Sequence, residues 1–328
     1  SENIIIERYK NLNETAGELK SSAVTFTSDV SQLNLDDLQN KFKLTYLAWQ
    51  ECSAFKFGYA ETNVLRSVFN TFPTDTPEIK TLLTLISPDY TKSRYQNSTG
   101  FPGLDYILFS HSDQDILNRF SVNDSIDGAK NYLLGVVDII SSKSSEVYLF
   151  WKNNTDGFKS NFAEDKTKAV SSAFSNLVHE FVYDTEHMKN HQFSYPAGKY
   201  SPVNLKIIEA KYSGYNIPLL KAHLLSLKKL YLGENSTGDN GIGLDDYLIE
   251  LKSEKDGKLL NTLIIDQFDL IEIEIDKISG DLVNAIANQP VLVEKLHQEL
   301  VLLVGLFKGV MMGEFDVQAN WNSGDGDG

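Results

Sequence analysis

Apolar residues recur at spacings of three and four along most of the chain, which predicts helices. Ile217, Leu220, Leu224, Leu227 and Tyr231 form one such stripe, with Asn216 placed to cap its start and Gly233 to stop it. Leu292, Leu296, Leu300, Leu303 and Phe307 repeat the pattern behind Asn288 and Pro290. This is a second core helix, with proline in the first turn, where its missing N–H removes no intrahelical bond. Asn34, followed by Leu35-Asp36-Asp37-Leu38, predicts the cap of a helix running to about Tyr59, with two carboxylates near the positive end of its dipole. Residues 5–28, 124–152 and 165–191 also read as long helices. Ile271 to Asp276 alternates as a strand would, but Leu260, Ile264, Phe268, Ile271, Ile275 and Ile278 keep the helical period over a longer window, and the longer pattern should win.

Turn-forming residues gather at Phe72–Asp75, Lys152–Gly157, Ser194–Pro202 and Gly233–Gly243. At 328 residues the chain exceeds the size at which a single core usually keeps growing. The segment from Tyr195 to Pro202 combines two prolines, a glycine and polar residues between long helices. The expected architecture is therefore all-α, with an N-terminal helical bundle over residues 1–195 and a C-terminal one over residues 196–328. No internal repeat is visible.

A formal charge of −15 narrows the partners. Phosphate backbones are bound by clustered Lys and Arg, so nucleic acid is disfavoured, as is an anionic membrane surface. Cations would be attracted instead. Cys52 is the one cysteine, which leaves neither an intrachain disulfide nor a thiolate cluster, and it reads as a buried hydrophobe. No run reaches the roughly 18 consecutive apolar residues of a membrane-spanning helix; Leu300 to Phe307 falls well short, so no transmembrane segment is expected. The chain begins at Ser1 rather than Met, from which a removed leader, with or without a lipid anchor, is expected.

One group of side chains suggests metal chemistry by spacing alone. Glu180, Asp184, His187 and His191 follow steps of four, three and four, which sets them along one face of a helix. Two His at i and i+4 with a carboxylate one turn away make candidate metal ligands. Against this, His179-Glu180-Phe181-Val182-Tyr183 misses the zinc-peptidase His-Glu-x-x-His pattern, because Tyr183 stands at the second His. The face is accordingly expected to be solvated. No phosphate-binding loop, nucleophile elbow or dinucleotide fingerprint occurs, and Gly324 to Gly328 lacks the further oxygen positions of a calcium loop.

The segment Gly100-Phe101-Pro102-Gly103-Leu104-Asp105-Tyr106-Ile107-Leu108-Phe109 resembles the signature of the imelysin family, Gly-x-His-x-x-Glu followed by Tyr-Leu-Leu-Phe. Gly100 is retained, Pro102 stands at the His and Asp105 at the Glu. Proline supplies no side-chain donor or acceptor in place of an imidazole. Trp49 with Phe55-Lys56-Phe57-Gly58, Asn70 to Asp75, Tyr195-Pro196-Ala197-Gly198, Glu209-Ala210-Lys211-Tyr212-Ser213 and the closing Gly324-Asp325-Gly326-Asp327-Gly328 are similar, in order, to further family motifs, the fourth to a Glu-x-x-x-Ser helix. For Gly100 and Gly103, permissive backbone angles around Pro102 are a sufficient reason.

The resemblance implies two helical bundles with the signature near their junction, and a ligand-binding site of Gly100, Pro102, Asp105, Glu209 and Ser213, with Asp325 and Asp327 as further matched positions. Such oxygen ligands suit calcium, magnesium, manganese or ferric iron, leaving iron or another divalent cation as the candidate cofactor. The bland alternative is that Asp105 and Glu209 bridge helices. It further implies a periplasmic or outer-membrane-anchored protein of iron uptake, with iron or an iron-bearing ligand and a cell-envelope protein as partners. The family is classed as metallopeptidase, and loss of the His argues against that activity here. No catalytic residue is assigned. Peptidase and protein-interaction module remain the alternatives, separated by whether a polar cleft adjoins Asp105.

Overall fold

The computed structural model describes residues 2–85, 87–121, 126–165, 167, 169 and 171–317. Asp325 and Asp327 lie outside the described residues. Eight helices organise the chain: α1 (Glu7–Ser28), α2 (Gln32–Gln50), α3 (Gly100–Phe109), α4 (Ile126–Lys152), α5 (Ala173–His187), α6 (Asn216–Tyr231), α7 (Leu260–Asp276) and α8 (Pro290–Leu306). Shorter helices and turns connect them. The one sheet among the described residues is a two-stranded hairpin pairing Glu254–Lys255 with Lys258–Leu259 across Asp256-Gly257. Both turn residues have positive φ, as the tight Asp-Gly hairpin turn demands. The fold is all-α, as the periodicity predicts.

Packing sorts the helices into two groups. In the first, α1 lies between α2 and α4, and α3 packs on α4 and on the short helices Leu65–Asn70 and Asp113–Ser121. In the second, α7 packs on α8 and α6, while α5 and the π-helical segment that extends it, Met188–Ser194, pack on α6 and α8. Helix α6 also packs on α2, so the α2–α6 contact carries the junction, and one continuous hydrophobic core runs beneath both groups. The chain turns through Tyr195–Gly198 at the end of the π-helical segment, yet α5 and that segment, both before the expected boundary at 195/196, pack with the helices that follow it.

Several local expectations need correction. Helix α2 starts after Ser31, not at Asn34, whose amide instead donates to the Asp29 carbonyl. It ends at Gln50 because the chain must turn to bury both Phe55 and Phe57; the Tyr9 hydroxyl donates to the Phe55 carbonyl at 3.0 Å. Asn216 is the first residue of α6 rather than its cap, and its side-chain oxygen accepts from the Leu282 N–H across 66 residues. The expected helix over 165–191 starts only at Ala173, as α5, and continues past His187 as the π-helical segment Met188–Ser194. Where α5 widens into the π-helical segment, the Tyr195 N–H reaches back to the Asn190 carbonyl at 2.8 Å, and Gln192, Phe193 and Ser194 are all buried in succession.

Cys52 is buried as a small hydrophobe. The helical stretch Pro290–Glu314 is long and apolar enough to cross a membrane by length and composition, but half of it is buried in the protein. Leu296, Leu300, Leu303 and Phe307 are fully enclosed in the core.

Candidate functional site

Helix α3 begins with Gly100 at φ +68°, and a Cβ there would lie 2.5 Å from the Phe69 carbonyl oxygen. Only glycine fits both the angle and the approach. Gly103 needs a different reason from the expected one: it sits inside the helix, and a Cβ would lie 2.3 Å from the Tyr132 hydroxyl, which donates to the Ser98 carbonyl at 2.5 Å. Phe101 anchors the helix start, stacked on Tyr46 with ring centroids 4.5 Å apart and set edge-on to Phe69 and Phe42. Pro102 falls in the first turn, where no intrahelical N–H is required.

One turn on, Asp105 is buried, 2% exposed. Its Oδ2 accepts from the Tyr212 N–H at 2.8 Å and its Oδ1 from the Ser213 N–H at 3.0 Å. These amides point at it because residues 209–214 are not the expected helix but a run of turns, with Ala210 at φ 47° and Gly214 at φ 66°. Successive N–H groups in such turns form an anion-holding concavity. The Ser213 hydroxyl closes the turn, donating to the Ala210 carbonyl at 3.3 Å. Burial lifts the Asp105 carboxyl to about 6, against the hydrogen bonds from Ser213 and Tyr212 and with help from nearby Glu209.

Glu209, 1% exposed, is saturated. Oε1 accepts from Gln50 at 2.9 Å and Asn70 at 2.6 Å and meets the Tyr46 hydroxyl at 2.9 Å; Oε2 accepts from Gln192 at 2.6 Å. Gln192 also donates to Gln50 Oε1 at 3.1 Å, which fixes its own carbonyl toward His223 Nδ1 at 2.9 Å. On the far side, His223 Nε2 lies 2.7 Å from Asp184 Oδ2. Both ring nitrogens thus face acceptors, so the ring is placed to donate from both. Asp184 also accepts from the Ser53 hydroxyl at 2.6 Å and from Arg66 at 3.3 Å, and Arg66 continues to Glu180 at 3.2 Å.

Glu209 of one expected constellation and Asp184 of the other are therefore joined by one buried run of hydrogen bonds through Gln192 and His223 that links the 209–214 turns, α2, α5 with its π extension and α6, while Asp105 meets the same turns through the Tyr212 and Ser213 N–H groups. Asp184 is not on a solvated face: burial alone would raise its carboxyl, but His223 and Arg66 more than offset this and hold it well below the usual range. Glu180, mostly buried, is pushed up by burial against the opposing pull of Arg66. His187 and His191 turn away and stack on each other at 4.6 Å. Burial, followed by the neighbouring imidazole, pushes His187 down to about 3. Among the described residues no group of three or more His, Cys, Asp or Glu is arranged to hold a metal.

Ser53, His223 and Asp184 share the residue types of a hydrolase triad without its logic. In a triad the carboxylate orients the imidazole from the nitrogen opposite the serine. Here serine and carboxylate meet the same Nε2, at 3.1 and 2.7 Å, and the serine proton goes to Asp184. The space beside Asp105 is a crevice of about 30 Å³, lined by Pro102, Phe72, Ile208 and Tyr212 among others, room for little more than one water.

Sequence reasoning missed Tyr46, Gln50, Ser53, Arg66, Asn70, Gln192 and His223. A signal existed for some. His223 lies three residues after Leu220 on the buried stripe of α6, and Tyr46 and Gln50 lie four apart on that of α2. Polar residues in an apolar register need buried partners.

An all-α protein of two packed helix groups, pinned by a buried polar chain behind a Gly-x-Pro-x-x-Asp helix, is the class that fold and site define. The chain belongs to the imelysin family, whose model matches residues 5–303. It is similar in fold to a protein from Parabacteroides distasonis ATCC 8503 described as an iron-regulated protein A precursor, with TM-score 0.76 and 15% identity over 95% of this chain and 92% of that one. An imelysin-like protein from Psychrobacter arcticum 273-4 gives TM-score 0.74 and 14% identity over 98% and 94%. No curated protein matches the chain.

Proposed function

We infer that the protein is an exported binding component linked to iron uptake, and that it does not cleave peptides. The observation that carries the second half is the state of the signature. Pro102 offers no ligand, both oxygens of Asp105 are engaged by the Tyr212 and Ser213 amides, and the Glu209 oxygens are filled by side-chain donors. A hydrolytic metal site needs about three protein ligands and an open position for water. This donor set does not fit a metal.

Support for the iron link is the family, together with the description of the Parabacteroides protein as iron-regulated. That precursor description also favours export, to the periplasm or to an outer-membrane anchor. The narrowness of the crevice at Asp105 favours, as a second reading, a module that acts by binding a cell-envelope protein. One experiment separates these from the peptidase reading. Purified chain is incubated with unfolded protein and a mixed peptide library in added zinc, iron or manganese, while a strain lacking the gene is assayed for iron accumulation. No cleavage and reduced iron accumulation are expected. Metal-dependent cleavage that disappears in Asp105→Ala would overturn the reading.

A further inference from the structure

A cleft of about 550 Å³ opens between α1 and α6 at the C-terminal end of α2, within the range of roughly 300–1,000 Å³ typical of small-molecule sites. It shares no lining residue with the crevice at Asp105. Among its walls is Arg8, only 4% exposed. The guanidinium donates to the Glu51 carbonyl at 3.1 Å and the Ser226 hydroxyl at 2.8 Å through Nη1, and to the Ser226 carbonyl at 3.2 Å through Nη2. Every one of these acceptors is neutral. Among the described residues no carboxylate pairs with it, and its other close neighbour is the face of Phe55, 5.5 Å away.

A buried charge with no directly bonded carboxylate is costly and is rarely left so without cause. Burial lowers the guanidinium from its ordinary value, with Cys52 and Glu51 pulling the other way. The bonds described spend Nη1 and half of Nη2. What is left is the Nε–H and an Nη2–H, the side-on fork that takes a carboxylate bidentately. Arg8 lines the cleft despite its burial.

The other charges on the cleft divide in an informative way. Glu7 accepts from Ser236 at 3.1 Å, and Lys10 and Glu14 pair with each other at 3.6 Å. Lys229 and the Glu51 carboxylate line the same cleft and pair with nothing among the described residues. The charges without an opposite partner are thus two cations, Arg8 and Lys229, and two carboxylates, Glu51 and Glu7, of which Glu7 already holds a serine hydroxyl; a ligand carrying an acid group and an amine matches the set.

We propose that this cleft binds a small amino-carboxylate, a free amino acid or the ends of a short peptide, with its carboxylate on Arg8 and Lys229 and its ammonium on Glu51. The site lies outside the signature region, so the assignment stands or falls apart from the iron reading.

The test is calorimetric titration of the full chain with L-alanyl-L-alanine, its C-terminal amide, N-acetyl-L-alanine and inorganic phosphate as probes. The free dipeptide should bind one to one. The amide should bind at least tenfold more weakly, and so should the dipeptide to Arg8→Lys and to Glu51→Gln. If Arg8→Lys unfolds, Glu51→Gln and the comparison of acid with amide on the unaltered chain still decide. Equal binding of acid and amide, preference for phosphate over the dipeptide, or no heat from any probe at millimolar concentration would each overturn the assignment.

Discussion

Replacing Asp105 by Asn should change stability by an amount that depends on pH, and the structure sets its size. The folded carboxyl titrates at about 6, against 3.8 when unperturbed, chiefly because it is buried. A carboxyl raised on folding binds its proton more tightly in the native state, so it costs stability as pH rises through this window and costs nothing below the lower value. At about 1.4 kcal/mol per unit, the cost is roughly 3 kcal/mol at pH 7 and roughly half that at pH 5. Asn removes this term. It also leaves one acceptor for the two N–H groups of Tyr212 and Ser213, at a penalty of about 1–3 kcal/mol that does not depend on pH. Asp105→Asn should therefore lie between neutral and about 2 kcal/mol stabilising at pH 7, and be less favourable by about 1.5 kcal/mol at pH 5. Urea unfolding of both proteins at the two pH values measures this, because every other titrating group cancels in the difference. Equal effects at both values, or a larger loss at pH 7, would refute the reasoning.

Gly100→Ala should cost about 2 kcal/mol or more, since φ +68° and a carbonyl 2.5 Å from the new methyl admit no relaxation short of moving α3; a melting temperature within a degree or so of the parent would contradict this. His223→Phe should cost about 3–5 kcal/mol by leaving Asp184 buried without its imidazole and Gln192 without its donor. Because the native Asp184 carboxyl is held below its ordinary range, its contribution is present above about pH 4 and lost as pH falls. The variant should accordingly lose less than the parent on acidification, as read by denaturant midpoints. Pro102→His, which restores the family residue, should yield no tightly held zinc or iron after dialysis, because the oxygens of Asp105 remain bound to amides; stoichiometric metal would count against the closed-site account.

Helix content was legible wherever one face alone carries the core. The stripes of α6, α7 and α8 place Leu224, Phe268 and Leu300 in the interior as the spacing predicts, and the strand-like alternation at 271–276 yields to the helix because it spans less than two turns. Helix ends were less legible. Asn34 and Asn216 are residues of the right type for caps, but each has a stronger use for its side chain elsewhere in the fold, at Asp29 and at the Leu282 amide. The site was legible only in its anchors. Gly100, Asp105 and Glu209 carry a resemblance that can be read along the chain, whereas His223 and Arg66 meet Asp184 across 39 and 118 residues. No local spacing encodes such a meeting. What the sequence does hold is the anomaly of a histidine in an apolar register, and the step from anomaly to partner requires the fold.

The exchange of both signature residues together has a physical reading of its own. Pro102 occupies a helix position where the missing N–H removes no bond, so the helix start survives loss of the imidazole. Asp is one methylene shorter than Glu, and here it reaches the Tyr212 and Ser213 amides directly. Little space is left, about 30 Å³ beside it. A carboxylate held by backbone amides ties α3 to the 209–214 turns, and Glu209 in those same turns ties them to Tyr46 and Gln50 of α2 and to Gln192 of the π-helical segment. Polar groups so fully engaged give cohesion, because breaking any one leaves a buried partner without its bond. Ligand chemistry needs the opposite condition, charge and donors left unspent beside open space, and in this molecule that condition is met at Arg8 rather than at the signature.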